Sequence, residues 1–178
     1  KNYEDSSQLL ISNSAYCSQK TILIDGTIEN NICLETDNNI NKNLLAKAIK
    51  IAELEVFIKN LKNGIHTIIG EEGIRVSGGE AQRINIARTI YLNRKFIFFD
   101  ESLNNLDMIT SNKILQNFKE LDDLKTIFFI THDLRLLSDF EEVLVFNDGN
   151  LVENGSFSKL KSESKLFMEL LDNPTKST

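Results

Sequence analysis

Apolar residues in this chain follow two periods. From Asn41 to Ala52, Leu45, Ala48, Ile49 and Ala52 recur at the spacing of an amphipathic helix. Residues 79–92 repeat that spacing, with Ile84, Ala87, Ile90 and Tyr91 on one side. Asp107–Leu121 and Leu160–Leu171 read as two further helices, and Thr27–Ile32, Val56–Leu61 and Leu134–Ser138 as short helical pieces. Between them, Phe96–Phe99 and Thr126–Ile130 are unbroken aromatic and β-branched runs, the pattern of strands buried on both faces. A helix separates these two strands, which predicts a parallel, helix-covered sheet. Ala15–Cys17 reads as a strand end entering a loop around Gln19, and Asp148-Gly149 predicts a hairpin between Val143–Phe146 and Leu151–Val152. Lys1–Asn13 has little pattern; Leu9–Ile11 is expected as a short strand or turn, and Asp172–Thr178, with Pro174, as a frayed tail.

Composition narrows the class. A length of 178 residues suits one compact domain, and 41% hydrophobic with 26% charged residues is an ordinary globular mix. A net charge of −6 argues against nucleic acid as the main partner. The apolar runs are too short to cross a bilayer. Cys17 and Cys33 make no disulfide framework and have no metal-ligand spacing. Of only 8 glycines, Gly70, Gly73, Gly78 and Gly79 fall within ten residues, which predicts unusual backbone geometry or the close approach of a ligand there.

Three short segments could carry chemistry. Val76-Ser77-Gly78-Gly79-Glu80 opens a helix with a hydroxyl and two glycines; it would bare backbone N–H groups to an anion such as phosphate, or Ser77 would simply cap the helix. Phe96–Phe99 delivers Asp100 and Glu101 to the carboxyl end of a parallel sheet, where ligands bind in open α/β folds. Their side chains should point oppositely, Asp100 to hold Mg²⁺ and Glu101 to polarise a water attacking a γ-phosphate; the bland alternative is a pair of solvated acids. Thr131-His132-Asp133 follows the second strand, and His132 would reach the same edge or sit on the surface; His66 has no partner signal. Spacing supports the joint reading, with 23 residues from Ser77 to Asp100 and 31 from Glu101 to His132, each room for one helix.

In that order, the segments resemble the nucleotide-binding domain of an ATP-binding cassette (ABC) transporter. Val76–Glu80, continued by Gln82-Arg83 and Ile86-Ala87-Arg88, resembles the signature motif, usually Leu-Ser-Gly-Gly-Gln. Phe96–Glu101 is similar to the Walker B strand with its catalytic glutamate, Glu101–Asp107 to the D-loop, His132 to the switch histidine and Gln19 to the Q-loop glutamine. Asp25–Ile32 and Gly70-Glu71-Glu72-Gly73 resemble segments of exporter-type domains, the latter the x-loop. The resemblance runs from about Ala15 to Gly155. It implies a P-loop NTPase (ABC ATPase) fold, a parallel sheet with flanking helices, plus a helical subdomain at about 27–92, a catalytic core at about 93–155 and a C-terminal helix and tail at 156–178. It also implies two domains, as a homo- or heterodimer, paired head to tail around ATP and Mg²⁺ and coupled to a transmembrane domain on the cytoplasmic face of a membrane. Ser77, Gly78, Gly79 and Glu80 would then meet the ATP held by the opposite copy. Gln19 would touch Mg²⁺ and the attacking water, and Asp107 would link the two sites.

This sequence departs from the family pattern in three ways. Glu80 replaces glutamine, and Asn104 and Asn105 replace small residues of the D-loop. No Gly-x-x-x-x-Gly-Lys-Ser/Thr loop occurs, and no glycine is followed by lysine. The expectation is an N-terminally truncated domain, inactive alone and exposing apolar surface where the missing elements would pack. Two other readings stand beside the exporter ATPase. A DNA-repair or chromosome-organising ATPase of the superfamily would need coiled-coil insertions and basic surface, and neither is present; a non-catalytic regulatory subunit would lack the lysine loop upstream as well.

Overall fold

The computed structural model describes residues 3–34, 40–71, 73–121 and 125–172, with side chains from Ser7 onward. The described chain divides between Ile130 and Thr131 into two compact units.

The first unit begins with helix α1 (Tyr3–Ser12), where a strand or turn was expected around Leu9–Ile11. The polar residues after it explain the difference: Asn13 Nδ2 donates to the Leu9 carbonyl at 2.8 Å and Ser14 Oγ to that of Leu10 at 2.7 Å, satisfying the last turn. Strand β1 (Ser14–Cys17) follows, then β2 (Gly26–Thr27) and helix α2 (Ile28–Cys33), which Thr27 and Asn30 close with a reciprocal capping box. Helix α3 (Lys42–Ile51), capped by Asn41, buries Leu45 and Ala48 of the expected stripe, with Ala52 just past its end. Ile51 is buried beside them and Ile49 only half-buried, and α4 (Glu55–Lys59) is shorter than its apolar run suggested. Strand β3 (Ile68–Ile69) pairs antiparallel with β2, a small sheet with no signal in the sequence. Helix α5 (Gly78–Tyr91), strand β4 (Phe96–Asp100), helix α6 (Met108–Phe118) and strand β5 (Thr126–Ile130) complete the unit.

β1, β4 and β5 form a parallel sheet in that order, with Tyr16 opposite Phe98 and Phe98 opposite Phe128. The expected parallel pairing is present, but the strands are not buried on both faces. Ala15, Cys17, Ile97 and Phe99 face inward, and Phe99 stacks on Phe129 at 4.8 Å and meets Phe118 of α6 at 5.0 Å. On the other face Tyr16 is 58% exposed, Phe128 38% and Ile130 52%. The reason is where the described helices go: Thr89 of α5 lies against Cys17 and α6 against Phe99, both on the same side. Burial pushes the Cys17 thiol up to about 11, so it stays protonated and packs as a small apolar side chain.

The second unit holds a 3₁₀ turn at Leu134–Asp139 and a hairpin of β6 (Val143–Asn147) and β7 (Asn150–Gly155). Asp148 and Gly149 both take positive φ, 48° and 76°, the two-residue turn the Asp-Gly pair predicts. The single helix expected over Leu160–Leu171 is two helices, α7 (Phe157–Glu163) and α8 (Lys165–Asp172). Ser164 breaks the run with extended backbone, and its hydroxyl accepts the Phe167 N–H at 2.8 Å to start the next helix. Val143, Val145, Leu160 and Phe167 form the core of this unit. Beyond Asp172 the expected frayed tail, with Pro174, lies outside the described residues.

The two faces of the first unit's sheet should respond differently to truncation. Phe99→Ala, at a fully buried position, is expected to cost about 3–5 kcal/mol in denaturant unfolding. Phe128→Ser should cost about 1 kcal/mol or less and reduce binding of a hydrophobic dye. Equal losses would contradict an open face.

Candidate functional site

The sheet's carboxyl edge gathers several of the expected residues. β4 ends in Asp100, and Glu101 follows with left-handed backbone, φ 47°, its N–H donating to the Ile130 carbonyl at 2.9 Å. This reversal sends the two carboxylates apart. Asp100 Oδ2 accepts the hydroxyl of Tyr16, and that contact raises the tyrosine's pKa because ionising it would face a carboxylate. Glu101 Oε2 accepts the side-chain amide of Gln19 at 2.5 Å and that of Asn104 at 3.1 Å.

Gln19 reaches Glu101 from 82 residues away because α5 holds its loop. Asn85 Nδ2 donates to the Ser18 carbonyl at 3.3 Å, Thr21 Oγ1 to Gln82 Oε1 at 2.5 Å, and Arg88 to the Ile22 carbonyl at 3.0 Å. Arg88 also donates to the Asn31 carbonyl at 2.7 Å, and its burial lowers the guanidinium pKa. The polar residues of the long helix thus brace the loop that carries Gln19.

At the other end of α5, Ser77 and Glu80 form a capping box. Ser77 donates its N–H and hydroxyl to Glu80 Oε2 at 2.7 and 2.8 Å, and Glu80 returns its N–H to Ser77 Oγ at 3.2 Å. The glycine cluster divides into two kinds. Gly70, at φ 109°, and Gly73 have no room for a side chain, since a Cβ would fall 2.2 Å from Asp25 Oδ1 and 2.3 Å from the Ile68 carbonyl. Gly78 would meet nothing within 4 Å, and Gly79 only ordinary contacts of 3.5 Å with Asn105 and Leu106. Packing within the chain therefore does not require the two signature-like glycines. Glu72, between Gly70 and Gly73, lies outside the described residues.

Asp107 caps α6, accepting the Thr110 N–H at 3.0 Å and hydroxyl at 2.7 Å. His132 is exposed and belongs to the second unit, where Thr131 Oγ1 accepts the Asp133 N–H at 2.9 Å and Asp133 pairs with Arg135 at 2.7 Å. The structure brings Gln19, Glu101 and Asn104 together and joins Ser77 to Glu80 as one cap. Tyr16 as the partner of Asp100 was not anticipated. Its signal is register alone: Tyr16 lies opposite Phe98, on the same face as Asp100.

A family model described as "ABC transporter" matches residues 2–104. The pediocin PA-1 transport/processing ATP-binding protein PedD of Pediococcus acidilactici is 34% identical over 158 residues, covering 89% of this chain and 22% of that protein. An ATP-dependent lipid A-core flippase of Photorhabdus laumondii is 33% identical over 156 residues, covering 88% of this chain and 27% of that protein. A solved bacterial Atm1-family ABC exporter with ATP bound superposes with a TM-score of 0.84 at 32% identity, over 93% of this chain and 29% of its own. The chain thus spans about a quarter of the length of the proteins it matches.

Thr110, through its hydroxyl first and its N–H second, holds the Asp107 carboxyl below its ordinary value of 3.8. A depressed pKa means that the stability from this cap is fully present above the ordinary carboxylate range and is lost as pH falls through the lowered value. Amide signals from the first turn of α6, followed from about pH 5 to about pH 2, should show a midpoint below 3.8 that Asp107→Asn abolishes. A midpoint at or above the ordinary value would contradict the cap.

Proposed function

Since the chain belongs to the ABC transporter family, with the P-loop ABC ATPase fold of an Atm1-family exporter, we propose that it is the ATP-binding and hydrolysing part of an exporter. The observation that carries this reading is the contact of Gln19 with Glu101 at 2.5 Å, made at the carboxyl edge of a parallel sheet. Glu101 is the general base: its carboxylate takes a proton from the water that attacks the γ-phosphate, and the Gln19 amide orients it.

Mg²⁺ fits the donors at this edge. Asp100 offers a carboxylate and Gln19 an amide oxygen, both hard ligands, and a magnesium ion characteristically keeps water and phosphate oxygens for its remaining positions. When bound, the ion neutralises charge on the phosphate oxygens.

Ser77, Gly78, Gly79 and Glu80 are proposed to face the γ-phosphate of ATP held by a second copy or a related domain. Support comes from the two glycines that internal packing does not require, at the positive end of a 14-residue helix. Asp107 would link the paired sites and His132 would contact the γ-phosphate. The stretch 27–92 would be the helical subdomain and 93–155 the catalytic core. The partners are a second nucleotide-binding domain and a transmembrane domain, placing this part on the cytoplasmic face of a membrane. The net charge of −6 supports the exclusion of nucleic acid. With no lysine loop among its 178 residues, this stretch alone should not turn over ATP.

In the complete gene product carrying this chain, Glu101→Gln should lower phosphate release about 10²–10⁴-fold while ATP-bound dimers still form, and chelating Mg²⁺ should stop turnover. Wild-type turnover in Glu101→Gln would remove Glu101 as the base.

A further inference from the structure

Glu101 has a second amide donor that the resemblance leaves unexplained, because Asn104 stands where small residues are usual. Asn104 Nδ2 lies 3.1 Å from Glu101 Oε2, the oxygen that also accepts from Gln19. A carboxylate can only accept, so in both contacts the NH₂ end of the amide faces it. The two donors are mounted differently. Gln19 comes from a distant loop held by side chains of α5. Asn104 shares a turn with Glu101, closed by the Asn104 N–H on the Glu101 carbonyl at 3.2 Å. That turn is anchored from beneath, since Ser102 and Leu103 between them are 2% and 5% exposed. It is also anchored from the sheet, through the Glu101 N–H on Ile130.

We propose that Asn104 is a positioning residue for hydrolysis, holding the Glu101 carboxylate in its rotamer from within its own turn. The inference rests on Glu101 being the base. Gln19 alone would tie the carboxylate to a loop that must also serve the nucleotide, whereas Asn104 keeps one oxygen fixed while that loop adjusts. A charge-assisted hydrogen bond of this kind has strength and direction, and a side chain without a donor, such as alanine, could not supply it at 104. Asn104→Asp is nearly isosteric but exchanges the donor for a like charge, so it separates donation from shape.

The test is steady-state and single-turnover ATP hydrolysis by the complete gene product. Asn104→Ala should lower kcat about tenfold, with KM for ATP within about twofold and Tm within about 2 °C of wild type. Asn104→Asp should lose more than Asn104→Ala. In a Glu101→Ala background, Asn104→Ala should leave the residual single-turnover rate unaltered, because a residue acting through the carboxylate has nothing left to position. Wild-type kcat in Asn104→Ala or Asn104→Asp, an equal loss in both backgrounds, or a fall in Tm beyond that margin would overturn the proposal. Wild-type turnover in Glu101→Ala would instead overturn the assignment of the base. Loss of turnover in Glu101→Ala, together with wild-type kcat for Asn104→Ala while Glu101 is present, would overturn the positioning role alone.

Discussion

The parallel pairing of β1 with β4 is the constraint from which the site follows. With Cys17 opposite Phe99, Gln19 lies two residues beyond one member of that pair and Glu101 two residues beyond the other. Both residues therefore emerge at one edge, at matching heights, although 82 residues separate them. The same register sets Tyr16 beside the strand that ends in Asp100. A one-residue slip would reverse the faces of β1, moving Cys17 out of the core and Tyr16 into it.

Polar side chains of a largely buried helix set the loops around that edge. Gln82 and Asn85 are 1% and 5% exposed, yet they do not simply fill core. Gln82 accepts from Thr21, Asn85 donates to the Ser18 carbonyl, and Arg88 spans Ile22 and Asn31. Buried polar groups call for partners, and Gln82 Oε1, Asn85 and Arg88 find theirs between Ser18 and Asn31, whereas Gln82 Nε2 is buried without one. Geometry at the sheet edge and geometry at the start of α5 are thus connected through one rigid element.

The site residues use their chemistry twice. Ser77 and Glu80 cap α5 and Asp107 caps α6, which alone would account for their presence. Gly78 and Gly79 differ, because a helix tolerates glycine at a cost of about 1 kcal/mol and nothing in the chain's own packing demands it there. Glu101 differs too, since a non-glycine residue at φ 47° is uncommon and is kept where surrounding structure fixes it.

Local chemistry made much of this molecule readable from its residues alone. The stripe through Leu45 and Ala48, the Asp148-Gly149 turn and the strands at Phe96 and Thr126 are consequences of side-chain period and backbone preference within short windows. The motif segments were legible for the same reason, each being a few consecutive residues with defined spacing. Local pattern misjudged α1, whose helix depends on Ser12, Asn13 and Ser14 covering its last carbonyls, and the break at Ser164, where one hydroxyl favours a cap over continuation. It also misjudged the sheet's burial, because an apolar run shows that a strand can be covered on both faces and does not say which helices come to cover it. Only the tertiary structure could join Gln19 to Glu101, Tyr16 to Asp100 and Arg88 to Asn31, because these pairs meet through strand register and helix packing across long separations in the chain.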